Sequence, residues 1–211
     1  MKNQMVILGV HLTIILKFIV TLLAIINPFS ISGIYLDAVD SLDKKEQNTF
    51  AFTVAIAVLI TLIIVTWIGI SVLNAFGINI DAFRFGGGVI VLFFGLRVIG
   101  VIPPMPTSKA QQDTRKLAIV PIAIPLIAGP GSLVATISDV HVYFTTSETK
   151  IVASGCVLLV TLMLWIFFRE LPRILDVLGH NVMDIIAKIM GLFLTALAVE
   201  MMFDGIKGFF F

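Results

Sequence analysis

The sequence predicts an all-α membrane protein: six transmembrane helices forming two inverted three-helix repeats, the first helix of each repeat interrupted. Three observations predict it. Of the 211 residues, 59% are apolar and only 13% charged, against roughly 45–50% and about 25% in a soluble domain. The apolar residues fall in six continuous runs, each near the roughly 20 residues that a helix needs to cross a hydrocarbon core about 30 Å thick. Within those runs, proline occurs only in the first and the fourth.

The composition excludes several classes. With a mean hydropathy of +1.10, a chain this small cannot remove enough apolar surface from water to be a soluble globule, and the same hydrophobicity excludes disorder. One cysteine, Cys156, rules out a disulfide scaffold. Nucleic acid is not an expected partner, because the net charge is +1 and no basic run exceeds two residues. The expected partner is the lipid bilayer. The runs are continuous and do not alternate, which requires helices and not barrel strands.

The spans are Phe18–Leu36, Ala51–Leu73, Phe85–Ile102, Leu117–Ser138, Ile151–Phe168 and Ile185–Phe203. The polar segments between them (Asp37–Asn48, Asn74–Arg84, Pro103–Lys116, Asp139–Lys150 and Arg169–Asp184) read as loops. The whole chain, 1–211, is one transmembrane domain, with repeat one at about 18–102, a connecting loop at 103–116 and repeat two at about 117–203. Met5–Leu16 is also apolar, but only Lys2 precedes it and no small-residue cleavage site follows. It reads as the outer end of a long, tilted first helix. With six spans, both termini share a side with Lys2, Lys17, Arg84, Lys150 and Lys207, while the other nine Lys and Arg residues lie opposite. The positive-inside rule then places the nine in the cytoplasm and both termini outside.

The prolines locate the interruptions. Pro103, Pro104, Pro106 and Pro172 read as loop residues; Pro28, Pro121, Pro125 and Pro130 lie inside spans one and four. Proline removes a helix hydrogen bond and clashes with a preceding carbonyl, a defect that survives in lipid only where protein buries it or it lines a cavity. Span one reads Asn27-Pro28-Phe29-Ser30 and ends at Asp37; span four reads Gly129-Pro130-Gly131-Ser132 and ends at Asp139. One offset of 102 aligns proline, serine and aspartate. Three spans per half is an odd number, so the halves must insert in opposite orientations. Inverted repeats with matched broken helices are the pattern of secondary transporters. Asn27 lies about 15 Å along a helix from Lys17; with Lys17 snorkelling to the interface, that puts the break near the midplane.

Several segments together resemble the MarC family of bacterial inner-membrane proteins: the Asn27-Pro28 break, Arg84-Phe85-Gly86-Gly87-Gly88, Pro125-Leu126-Ile127-Ala128-Gly129-Pro130-Gly131, and Lys188-Ile189-Met190-Gly191-Leu192. The resemblance implies six spans in the bacterial cytoplasmic membrane and, from some members, transport of small neutral amino acids. The chain departs from the family's Asn-Pro-x-Gly-x-x-Pro pattern, with Ser30 at the glycine and Gly33 at the second proline.

An interrupted helix offers free amides to an anion and free carbonyls to a cation. Two facing breaks would therefore suit a small zwitterion, such as an amino acid. The candidate substrate-binding residues are Asn27, Pro28, Ser30, Gly129, Pro130, Gly131 and Ser132, expected to line one polar cavity. Glu200, an intramembrane carboxylate near the outer interface, is the candidate for coupling to an ion. Gly86-Gly87-Gly88 lacks the residues of a phosphate loop and reads as a close-packing surface, as does the small-residue face Ala187, Gly191, Thr195. His11, His141 and His180 have no metal-ligand spacing, and with no nucleotide-binding motif no cofactor is expected. Ala153-Ser154-Gly155 is the sole support for an intramembrane serine hydrolase, and a serine without a positioned base is not an activated nucleophile. No catalytic residue is expected. The alternative to a transporter is a channel-like or structural membrane subunit.

Overall fold

Proline and an Asx cap decide where the first helix breaks. In the computed structural model, which describes residues 2–40, 42–103 and 128–210 and the side chains from residue 12 onward, α1 (Lys2–Ile26) runs into α2 (Pro28–Val39) across a 44° bend at Asn27. Pro28 occupies the first position of α2, where its missing N–H costs no hydrogen bond and its fixed φ suits a helix start. α3 (Lys44–Ala75) starts with a capping box, in which the Asp43 carboxylate accepts from the Glu46 N–H at 2.7 Å and the Glu46 carboxylate accepts from the Asp43 N–H at 3.2 Å. α4 (Ile80–Val98) follows, capped by Asn79, whose side chain accepts from the Asp81 N–H at 2.7 Å. α5 (Pro130–Tyr143) again has proline in its first turn. α6 (Ser147–Phe210) completes the chain.

The described residues are helical throughout their regular structure, with no strands among them. Two of the helices, α3 and α6, are long and apolar enough to cross a membrane by length and composition, and the bent pair α1–α2 makes a third. Large apolar side chains cover the outside: Leu12, Leu16 and Val20 on α1, Ile60, Ile64 and Ile68 on α3, Ile90 and Phe93 on α4, and Leu158, Leu162 and Phe193 on α6 are all exposed. A water-facing surface of this kind would aggregate; lipid removes the penalty.

The segment Arg169–Asp184, expected to be a loop, is helical, and Pro172 lies inside α6 and not in a loop. Packing overrides the local signals there. Phe168, Leu171 and Met183 are buried in the core, while Arg169 and Arg173 pair with Glu170 on the outside. The turn is made by one residue, Gly179, at φ 75° and ψ 160°, a conformation open essentially to glycine alone. It divides α6 into arms 147–178 and 180–210. Two other helix starts move outward, α3 seven residues before the expected span and α4 five before, while α4 ends at Val98, short of the expected Ile102. The first part of the fourth span, 117–127, with Pro121 and Pro125, lies outside the described residues.

Two packing layers result. The first arm of α6 lies against α1, α2 and α3, with Phe168 stacked on Tyr35 at 4.4 Å between centroids, Phe167 edge-on to Phe29, and Trp67 Nε1 donating to Ser154 Oγ at 3.1 Å. The second arm lies against α4 in the opposite direction. A Cβ on Gly95 would sit 3.2 Å from the Gly191 carbonyl oxygen, one on Gly88 2.8 Å from that of Ala198, and one on Gly205 2.8 Å from the Phe85 nitrogen. Backbone-to-backbone approach of this kind is what small residues provide where lipid offers no hydrophobic drive. Gly87 is likewise filled by Val134 of α5, whereas nothing approaches Gly86 within 4 Å.

Candidate functional site

Asn27 is wholly buried and sits in the left-handed region, φ 42° and ψ 68°. Asparagine is among the few non-glycine residues that tolerate this conformation. Its Oδ1 accepts weakly from the Ser30 N–H at 3.4 Å, while its Nδ2 and the Ser30 hydroxyl are buried without a hydrogen-bond partner. Unpaired buried donors cost roughly 1–3 kcal/mol each, so the first break holds unused hydrogen-bonding capacity. In the second break, Gly129 precedes Pro130 with an extended backbone. Ser132 is buried, and its hydroxyl hydrogen is already used in a bond to the Gly129 carbonyl at 2.9 Å.

The two breaks meet. A Cβ on Gly131 would lie 3.1 Å from Ile25 Cγ2 and 2.8 Å from Val91 Cγ2, and Ala128 belongs to the same buried cluster as Ile26 and Ile31. They form a packed seal in place of a shared cavity wall, and two cavities flank it. The first, about 250 Å³, is lined among others by Thr21, Arg84, Ala135, Ser138 and Leu197. The second, about 670 Å³, is lined by Ser30, Gly33, Phe94, Arg97, His180 and Asp184 among others. Of the expected substrate-binding residues, only Ser30 lines either of them; Asn27, Pro28, Gly129, Pro130, Gly131 and Ser132 line neither.

Three elements share the same order. On the α1–α2 pair, Thr21 faces the first cavity, Ile25 to Asn27 the seal, and Ser30 the second cavity. On α4 the sequence is Arg84, Val91 and Arg97; on the second arm of α6, reversed, it is Asp184, Leu194 and Leu197. The cavities therefore open at opposite ends of the helices. About 9 Å of helix separates Thr21 from Asn27.

Charges collect in the first cavity. The Lys17 Nζ lies 3.3 Å from Glu200 Oε1, both side chains half exposed. Arg84 donates to the Ser138 carbonyl at 3.5 Å and lies 4.0 Å from Asp81, and Asp139 and Asp204 complete the lining. The sequence marked Glu200 and the matched pair Asp37 and Asp139, but nothing in their spacing indicated that Lys17, Arg84, Asp139 and Glu200 converge. The second cavity holds the Arg97 guanidinium, whose Nε is buried and unpartnered. His180 lines it too, whereas His141 is exposed on α5. Ser154 is held by Trp67 and by its bond to the Lys150 carbonyl at 2.8 Å. No group of three or more metal-ligating side chains converges among the described residues.

A sealed helix bundle with a broken span could belong to many families; the sequence comparison decides. The MarC model, described as "MarC family integral membrane protein", matches residues 12–210. The chain belongs to the MarC family. It is an integral membrane protein, with relatives across bacteria and archaea. A "UPF0056 membrane protein" of Buchnera aphidicola subsp. Schizaphis graminum is 34% identical over 94% of both chains. The Escherichia coli "UPF0056 membrane protein YhcE" is 32% identical over 92% of each. The Salmonella paratyphi A "UPF0056 inner membrane protein MarC" is 28% identical, covering 89% of this chain and 91% of its own. No solved structure matches this MarC-family chain.

Proposed function

We propose that this protein is a secondary transporter of the bacterial inner membrane that carries small neutral amino acids or similarly small polar metabolites. One observation carries the reading: two cavities, the first lined by charged groups and the second mainly apolar with Arg97, His180 and Asp184 in its lining, open at opposite ends of the bundle, separated by a seal built from two helix breaks. Alternating access needs one site reachable from each side in turn, and a seal of broken helices is the part that can open without unravelling a continuous span. The opposed directions of α4 and the second arm of α6 support the inverted six-span repeat. The charge bias of the sequence supports external termini, with the first cavity outside. Energy would come from an ion gradient, with Glu200, paired to Lys17, as the coupling candidate.

The test is uptake. Purified protein in proteoliposomes, screened with labelled alanine and other small amino acids under imposed proton or sodium gradients, is expected to show saturable accumulation above empty liposomes. Flux that rises without saturation would indicate a channel, and no flux for any substrate would indicate a structural subunit; either defeats the proposal.

A further inference from the structure

The first cavity contains a set of groups that its own contacts leave unused. Lys17 and Glu200 neutralise one another at its rim. Arg84 is only 14% exposed, yet its guanidinium has just a 3.5 Å bond to a carbonyl and an Asp81 carboxylate at the 4.0 Å limit. A buried guanidinium ordinarily engages a carboxylate in short, paired bonds. Asp139 lines the same space and forms no ion pair within 4.0 Å among the described residues. Next to Asp139 in sequence, Ser138 is 3% exposed, and its hydroxyl is buried without a hydrogen-bond partner.

A cation and an anion facing one cavity without bonding each other leave a gap that a ligand of both charges closes. A ligand carboxylate would meet Arg84, its ammonium would meet Asp139, and the Ser138 hydroxyl would supply the neutral contact. The size agrees. A cavity of about 250 Å³ has room for a ligand the size of a small amino acid. Asp139, Glu200 and Asp204 share the lining, but no group of three carboxylates or histidines among the described residues is placed to hold a metal ion.

The geometry points to a binding site for a small zwitterion between α4 and α5, formed by Arg84, Ser138 and Asp139, which the substrate occupies before the seal opens. This rests on the transporter reading and names its first station. It moves the recognition chemistry away from the helix breaks, which then act as the gate.

The experiment uses the full chain in detergent, reading thermal unfolding with alanine, propionate or ethylamine at matched concentrations. A ligand that binds only the folded state raises the midpoint. Alanine is expected to stabilise the wild-type protein, and the two half-ligands are not. Asp139→Asn and Arg84→Gln should each weaken alanine binding by about tenfold or more, the worth of a charged hydrogen bond. Ser138→Ala should weaken it less and keeps the test readable if either charge variant fails to insert; midpoints without ligand report folding. Propionate or ethylamine stabilising as well as alanine would overturn the site, as would unchanged alanine binding in the variants. If the variants bind normally while the wild type transports alanine, the site fails and the transporter reading stands. If the wild type neither binds nor transports any amino acid tested, the transporter reading fails and the site with it.

Discussion

Asn27 combines a left-handed backbone with a buried, half-used amide, and the two properties separate by substitution. Asn27→Gly keeps the backbone comfortable and removes the amide. Asn27→Leu removes it too and forces a bulky residue to positive φ, which costs roughly 1–2 kcal/mol. Both variants are expected to insert and to lose transport, with Leu melting below Gly. Normal transport by both would remove Asn27 from the gate. The sequence identified this residue because an Asn-Pro pair inside an apolar run has few structural explanations. The Ser132 hydroxyl, also expected at the site, turns back to the Gly129 carbonyl, a local side-chain-to-backbone bond that leaves no trace in residue spacing.

At the scale of elements, the antiparallel seam of α4 and the second arm of α6 depends on which glycines face the partner. Gly88 meets the Ala198 carbonyl, and a larger side chain there must displace backbone; Gly86 faces open space. Gly88→Leu is therefore expected to abolish accumulation of folded protein, and Gly86→Leu to leave it near wild type, read by size-exclusion profile in detergent. The sequence identified the Gly86–Gly88 run as a packing surface but not the face, since three consecutive glycines cover most of a helix turn. It failed over Arg169–Asp184, where charges and a proline resemble a loop while Phe168, Leu171 and Met183 hold a helix in the core. The actual corner, Gly179, is one residue. Gly179→Ala is expected to lower stability by about 1–3 kcal/mol, measured as a reduced thermal midpoint, whereas Pro172→Ala leaves the midpoint unchanged or raises it because it restores a helix hydrogen bond.

For the whole molecule, hydrophobic run lengths and two prolines were enough to indicate an all-helical membrane protein with its breaks packed together. The charged cavity was not legible. Lys17, Arg84, Asp139 and Glu200 come from four helices, and only the packing of those helices brings them to one space. The transporter reading requires that the two cavities open to opposite faces of the membrane and that the breaks keep them apart. The most direct measurement is sided labelling. In a Cys156→Ser background, Asp204→Cys at the first cavity and Asp184→Cys at the second, both exposed positions, are introduced singly, reconstituted, and exposed to a membrane-impermeant thiol reagent from one face at a time. Asp204→Cys is expected to react only from the face bearing the termini and Asp184→Cys only from the opposite face; reaction of both from the same face would show that the breaks do not separate two sides.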